Sequence, residues 1–388
     1  MKLSKFAMSI NPSLTLSITA RAKEMKKRGL DVVSFGAGEP DFDTMQHIKD
    51  AAKRAIDEGF TKYTPTSGIP ELKEAIAAKL RRDNWLDYKP SQILVSTGAK
   101  QALYEIIMTV VEAGDEVIVP VPYWVSYEEM VKMAGGTTVF LKTRGFKLDP
   151  SDLEMAITPK TKMLILNSPV NPTGAVYDEK DLKKIAAICV KHNVFIVSDE
   201  IYEKLIYDKK HVSIAAINDK VKKITAVVNG ISKSYSMTGW RLGYVAGPEE
   251  VIKVATRLQD HITSNASSIS QKAALAAIDG PQDHIPKMIW EYKKRRDLMV
   301  ERLNAIEGVK APLPDGAFYV FADVSAYYRD GISGSLDFCN KLLEEAYVAV
   351  IPGIAFGDDR FVRLSFATGT DHIKRGLERM TKFCEKIK

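Results

Sequence analysis

The chain is short of cysteine. Cys189, Cys339 and Cys384 are the only three in 388 residues, far apart and without a CxxC pair. So sparse and odd a count argues against a disulfide framework and suits a reducing compartment. Histidine is scarce too: six are scattered without HExxH or comparable spacing, which leaves a metal centre unsupported. No apolar run approaches the ~20 residues of a membrane-crossing helix, so no membrane partner is expected. Lys2 and Lys5 open the chain, but Asn11 and Pro12 interrupt the next stretch before any long apolar segment can form. No secretory leader is therefore expected, and the expected location is the cytoplasm. Neither sign of charge dominates, with 55 Lys and Arg against 49 Asp and Glu, net +6. That mild excess forms no basic stripe, so nucleic acid is not an expected partner and small anionic molecules are favoured.

What is present is globular: 45% of residues are hydrophobic and 27% charged. A chain this long exceeds one compact core, so two domains are expected. Strand-like runs stand at Ile93–Val95, Glu116–Pro120, Met163–Leu166, Val194–Val197, Ile224–Val228 and Leu242–Ala246. Helical patterns separate most of them, including an amphipathic stretch from Glu179 to His192 with Leu182, Ile185, Ala186 and Cys189 on one face. Near-continuous apolar strands alternating with helices imply an α/β fold with a mainly parallel sheet sandwiched by helices. After about residue 247 the pattern turns to long helices, then to strands expected at Ala317–Phe321, Val348–Ile351 and Phe361–Phe366. This second unit reads as a smaller α+β domain. The expected division is 41–284 for the large domain, with 1–40 and 285–388 forming the small one.

Lys233 draws attention because no acid or base lies within seven positions on either side. A lysine on a polar loop is the plain reading; desolvation without a nearby carboxylate would instead lower its pKa, as an imine-forming lysine requires. Ligands of parallel sheets sit beyond the carboxyl ends of the strands. Asn171, Asp199, Tyr202 and Lys233 all fall there. Gly98-Ala99-Lys100 forms a strand-to-helix turn of the kind that points backbone N–H groups at a phosphate. Trp124, at another strand end, is placed either in the core or flat on a planar ligand. Gly36 and Gly38 resemble part of a dinucleotide fingerprint, but Asp41 occupies the third glycine position and Pro40 would fall in the first helical turn. A lysine for an aldehyde, Asp199 for a protonated ring nitrogen, Asn171 and Tyr202 for a phenolate oxygen, and Gly98, Ala99, Ser232 and Arg241 for a phosphate meet the requirements of pyridoxal 5′-phosphate.

Five ordered motifs carry a family resemblance. They are Gly36-x-Gly-Glu-Pro-Asp-Phe42, Asn167-Ser-Pro-x-Asn171-Pro-Thr-Gly174, Ser198-Asp-Glu-x-Tyr202, Ser232-x-Ser-x-x-Met-Thr-Gly-Trp-Arg-x-Gly-Tyr244 and Arg363-Leu-Ser-Phe-Ala367. Together they resemble the class I/II pyridoxal-phosphate aminotransferases of fold type I, over essentially the whole chain. The resemblance implies a seven-stranded-type sheet in the large domain. It implies Lys233 as the imine lysine and acid/base, Asp199 on the pyridine nitrogen, Asn171 and Tyr202 on the phenolate oxygen, and Trp124 on the ring. Gly98, Ala99, Ser232 and Arg241 would hold the phosphate, joined by Tyr63 of a second copy in a homodimer with shared active sites. Arg363 would grip the substrate α-carboxylate, and the Gly38 backbone would close over the substrate. Thr97-Gly-Ala-Lys100 is similar to the bacterial and archaeal aspartate aminotransferase subgroup, where a lysine here takes a side-chain carboxylate. The implied reaction is L-aspartate plus 2-oxoglutarate giving oxaloacetate plus L-glutamate. Alternatives are a broad, aromatic or prephenate aminotransferase, or more remotely a β-lyase or non-catalytic regulator. At least one of the Val121–Pro122 and Asn171–Pro172 bonds is expected to be cis.

Overall fold

Strands apolar on both faces cannot leave either face to water, and here they form a sheet buried between helical layers. The computed structural model describes residues 1–329 and 331–388. The chain opens with α1 (Lys5–Ser9), α2 (Leu14–Lys27), β1 (Val33–Ser34), α3 (Gln46–Asp57) and α4 (Pro70–Asn84). It continues through β2 (Ile93–Ser96), α5 (Ala99–Val110), β3 (Glu116–Val121), α6 (Ser126–Met133), β4 (Thr137–Lys142), α7 (Pro150–Ala156), β5 (Thr161–Asn167) and α8 (Glu179–His192). Then come β6 (Phe195–Asp199), α9 (Asp219–Lys222), β7 (Thr225–Gly230), β8 (Gly243–Ala246), α10 (Glu249–Ile262), α11 (Ser268–Asp279) and α12 (His284–Asn304). The last elements are β9 (Tyr319–Asp323), α13 (Ser335–Ala346), β10 (Val348–Ala349), β11 (Ile351–Pro352), β12 (Phe361–Ser365) and α14 (Thr370–Lys386).

The main sheet has seven strands in the order β2-β8-β7-β6-β5-β3-β4. It is mainly parallel, as expected; β8 alone runs antiparallel to both its neighbours. Successive side chains of a strand point to opposite faces, so Val117 packs in one core beside Ile106 while Ile118 packs in another beside Leu182. The seventh strand, β4, escapes the sequence reading because it is an edge strand. Its Thr-Thr-Val-Phe-Leu-Lys stretch is half-exposed along its length and carries no long apolar run. The α8 face reads as expected: Leu182, Ile185, Ala186 and Cys189 are buried. Asp178 caps this helix by accepting from the Asp181 N–H, a contact worth about 1 kcal/mol.

The second sheet is antiparallel, β11-β12-β9, with β12 in the middle. Two expectations are corrected here. The strand expected from Ala317 begins at Tyr319, because Ala317 has a positive φ of 56° and cannot extend the ladder. The single strand expected over Val348–Ile351 is two short pieces, with β10 pairing to β1 and β11 to β12. Pairing of β1 with β10, and of Ile18 and Ala22 in one core with Ile351 and Phe356, joins the first residues to the last hundred.

Candidate active site

Three parallel strands end side by side. Asn167 at the end of β5 is in register with Asp199 at the end of β6, and Asp199 with Val228 of β7. Past β5 the chain doubles back, so that Asn171 N–H donates to Asn167 Oδ1 at 2.8 Å. The bonds Val121–Pro122 and Asn171–Pro172 are both cis, as is Ser168–Pro169. Past β7 the turn carries Lys233 into a cleft of about 700 Å³. Also lining it are Gly38, Ala99, Lys100, Trp124, Asn171, Asp199, Tyr202, Ser232, Arg241 and Arg363. Long-range folding therefore gathers most of the residues singled out in the sequence into one cavity.

Lys233 is half-buried within this cleft. Its Nζ donates to the Gly38 carbonyl at 2.5 Å and lies 5.6 Å from the Tyr202 ring centre and 5.7 Å from that of Phe318. Burial first, then the Arg363 and Arg241 charges, pushes the amine down to about 8, against the pull of Glu39 and Asp199. An amine in that range exchanges a proton readily near neutral pH.

Asp199 is buried, and burial pushes its carboxyl up to about 6, with the Glu200 charge adding to the effect. Opposing this, Tyr127 OH donates to Oδ2 at 2.6 Å, Ile201 N–H donates to Oδ1 at 3.2 Å, and the Lys233 charge favours the carboxylate. Tyr127 was not anticipated from sequence. It lies three residues after Trp124, whose ring meets it edge-on at 5.4 Å, and nothing in local spacing points it at Asp199. Tyr319 was also missed; its hydroxyl lies 2.8 Å from that of Tyr202.

A lone arginine within a strand is ordinarily an edge or solvent-face residue. Arg363 is instead buried on the central strand of the antiparallel sheet. Its Nη1 donates to Asn171 Oδ1 and its Nη2 to the Gly36 carbonyl, each at 3.0 Å, while its buried Nε has no partner. Such a guanidinium retains a donor for an incoming carboxylate.

At the end of β2, Gly98 takes a φ of +85°, open to glycine and strained for other residues. A Cβ there would lie 2.6 Å from Arg241 Nη2. The turn thus brings the guanidinium against the start of α5, whose first N–H groups lack helical acceptors. Buried Ser232 lines the same end, so an anion placed there meets a guanidinium, a hydroxyl and backbone donors. Lys100 is exposed at the cleft, with Nζ 4.9 Å from the Trp124 ring centre. Desolvation and then the Arg241 charge lower its pKa. Tyr63 lies outside the cleft, 91% exposed.

Glu200, Glu203 and His211 bring ligand-type atoms within 4.8 Å of one another. Lys79 already pairs with Glu203, and Asn84 Nδ2 donates to its other carboxylate oxygen at 2.6 Å. His211 Nε2 lies 2.8 Å from Glu200. Against the opposing effect of burial, the Glu200 charge holds His211 above its ordinary range. The group is an ion cluster neutralised from within, which sets it apart from an open cation site.

The donor set around Lys233 fits a planar aldehyde carrying a ring nitrogen, a phenolate oxygen and a phosphate, with one buried guanidinium left for a second anion. The chain is 49% identical to the aspartate aminotransferase of Bacillus subtilis (strain 168), over 100% of both chains. It is 49% identical to a probable aspartate/prephenate aminotransferase of Aquifex aeolicus, over 97% of each. Its fold matches the structure of an aspartate aminotransferase from Thermus thermophilus with maleate at a TM-score of 0.94, with 43% identity over 98% of this chain and 99% of that one. The family model described as aminotransferase class I and II matches residues 30–380, and the protein belongs to that family.

Proposed function

We propose that the protein transfers the amino group of L-aspartate to 2-oxoglutarate, giving oxaloacetate and L-glutamate, with pyridoxal 5′-phosphate held in the cleft. One observation carries the choice of a dicarboxylate: a buried arginine with an unpartnered Nε, Arg363, and a lysine, Lys100, line the same cavity. The names of the Bacillus and Thermus relatives support the same substrate.

When bound, the cofactor supplies the aldehyde that takes up the amino group and a ring that withdraws electrons from the substrate Cα. Asp199 would lie against the ring nitrogen, its carboxylate favoured by the Tyr127 hydroxyl. Asn171 and Tyr202 would bond the phenolate oxygen. Ala99, Ser232 and Arg241 would hold the phosphate, with Gly98 admitting the guanidinium. With the cofactor bound, Lys233 Nζ would take the proton from the substrate Cα and give it to the carbon that had carried the aldehyde, an exchange that its depressed pKa suits. Arg363 fixes the α-carboxylate as a fork, and the loop bearing Gly38 keeps water from the amine.

Tyr63, exposed on its own chain, is read as the phosphate contact given to a second copy, making the unit a homodimer with shared sites. The division into a large domain, 41–284, and a small one from 1–40 and 285–388 is supported by the pairing of β1 with β10. Among the described residues no helix is long and apolar enough to cross a membrane, and the proposed location is the cytoplasm. A second reading, use of prephenate, is favoured by the name of the Aquifex relative and by a cleft that reaches as far as Leu16 and Lys23.

The deciding experiment is the visible spectrum of the cofactor-loaded protein before and after aspartate, with a panel of amino donors and keto acids run alongside. Conversion by aspartate with restoration by 2-oxoglutarate supports the proposal. A colourless protein sinks the cofactor, and faster turnover of prephenate than of 2-oxoglutarate selects the second reading.

A further inference from the structure

The loop from Gly36 to Phe42 contains no helix or strand, yet it crosses the cleft. Its shape depends on what grips it. The Gly36 carbonyl accepts from Arg363 and the Gly38 carbonyl accepts from Lys233. Both contacts lie on the cleft side. On the far side the loop makes a single ion pair among the described residues. Arg295 Nη1, on α12, donates to both carboxylate oxygens of Asp41, at 2.9 and 2.8 Å. Arg295 is only 9% exposed at its side chain and is held in turn by Glu291, whose carboxylate accepts from Nε at 2.9 Å. Phe42 meets Tyr292 edge-on at 5.4 Å, and the Arg295 guanidinium lies 5.4 Å from the Phe42 ring centre. Two consecutive loop side chains are therefore clamped to neighbouring residues of one long helix.

From this we infer that Asp41 and Arg295 form a positioning pair for transamination, holding the loop so that the Gly38 carbonyl stays on Lys233 and the Gly36 carbonyl on Arg363. The inference rests on the proposed role of Lys233. A buried arginine facing two carboxylates is rigid and costly to disturb, since loss of either partner leaves a desolvated charge. Releasing the loop would admit water to the Lys233 amine. Burial would then hold it down less, leaving Arg363 and Arg241 to oppose Glu39 and Asp199 through a wetter medium. Small displacements of a reacting group are expensive in rate.

The test uses the cofactor-loaded enzyme with three variants, Arg295→Lys, Asp41→Asn and the neutral double variant Asp41→Asn/Arg295→Gln. Arg296→Lys is the control: the next residue on the same helix pairs with Asp208 and Asp297 and does not touch the loop. The expected result is a fall in kcat of at least about tenfold in the loop-pair variants, with the acid limb of the kcat–pH profile moved upward, and neither change in the control. Losses that track Tm equally in the control, an unmoved acid limb, or rates within about twofold of wild type would overturn the inference. So would failure of all three variants to fold, which would make the pair a folding element. An inactive wild-type enzyme would instead overturn the proposed function, so the two failures are distinguishable.

Discussion

Lys233 donates its side-chain amine to the backbone carbonyl of Gly38 at 2.5 Å, across 195 positions of sequence. The carbonyl comes from a loop near the start of the chain, and the amine from the turn after strand β7. Folding thus encloses one particular amine between segments that neither segment alone could enclose.

Replacing that amine is the most direct check. Lys233→Ala is expected to fold, since the side chain makes one hydrogen bond, and to lose roughly 10²- to 10⁴-fold in kcat with aspartate. Borohydride reduction of the cofactor-loaded wild type should mark residue 233 in peptide mass mapping. A mark on any other lysine would remove Lys233 from its role.

Asp199 carries a cost that can be read in stability. Its carboxyl is pushed from an ordinary 3.8 up to about 6, chiefly by burial. The unfolded chain therefore releases this proton at lower pH than the folded one. Stability of the cofactor-free protein falls as pH rises through that window and stays lowered above it. Asp199→Asn should raise the Tm of the cofactor-free protein at pH 7 by removing at most about 3 kcal/mol of penalty, with the gain gone by about pH 3, while activity collapses. A Tm gain independent of pH would contradict the assignment.

Tyr127→Phe deletes the 2.6 Å donor to Asp199, so the carboxylate loses support and its pKa should climb further. A hydrogen bond to a charged group is worth about 1.5–3 kcal/mol, so cofactor affinity should fall roughly ten- to a hundredfold. Spectral titration of the cofactor-free protein at pH 6 and pH 8 measures it. The loss should be greater at pH 6, where the unsupported carboxyl is more protonated. Equal losses would uncouple the two residues.

Lys100 and Arg363 should separate in their effects. Lys100→Ala is expected to lower kcat/KM for aspartate and glutamate at least about tenfold more than for alanine or phenylalanine, since only the former present a second carboxylate. Arg363→Lys should lower all four by about 10²-fold, because an ammonium cannot replace a fork held by Asn171 and Gly36. A uniform loss in Lys100→Ala would remove it as the selector.

What the sequence by itself determined is the chemistry and its rough location. Lys233 stood apart through its missing charged neighbours, Asp199 and Asn171 through their places just past apolar runs, and the helix face of α8 through spacing. These are short-range properties, set by side-chain type and by the periodicity of one element. Only the tertiary structure decided which residues meet. Strand order brought Tyr127 onto Asp199, central placement in the sheet buried Arg363, and the crossing of α12 beneath the loop joined Arg295 to Asp41. Each of these rests on strand order, register and the direction of a side chain across tens or hundreds of residues, and local propensity carries none of that. The edge strand β4 went unseen for the opposite reason: half in water, it has little need of the apolar residues that betray a buried strand.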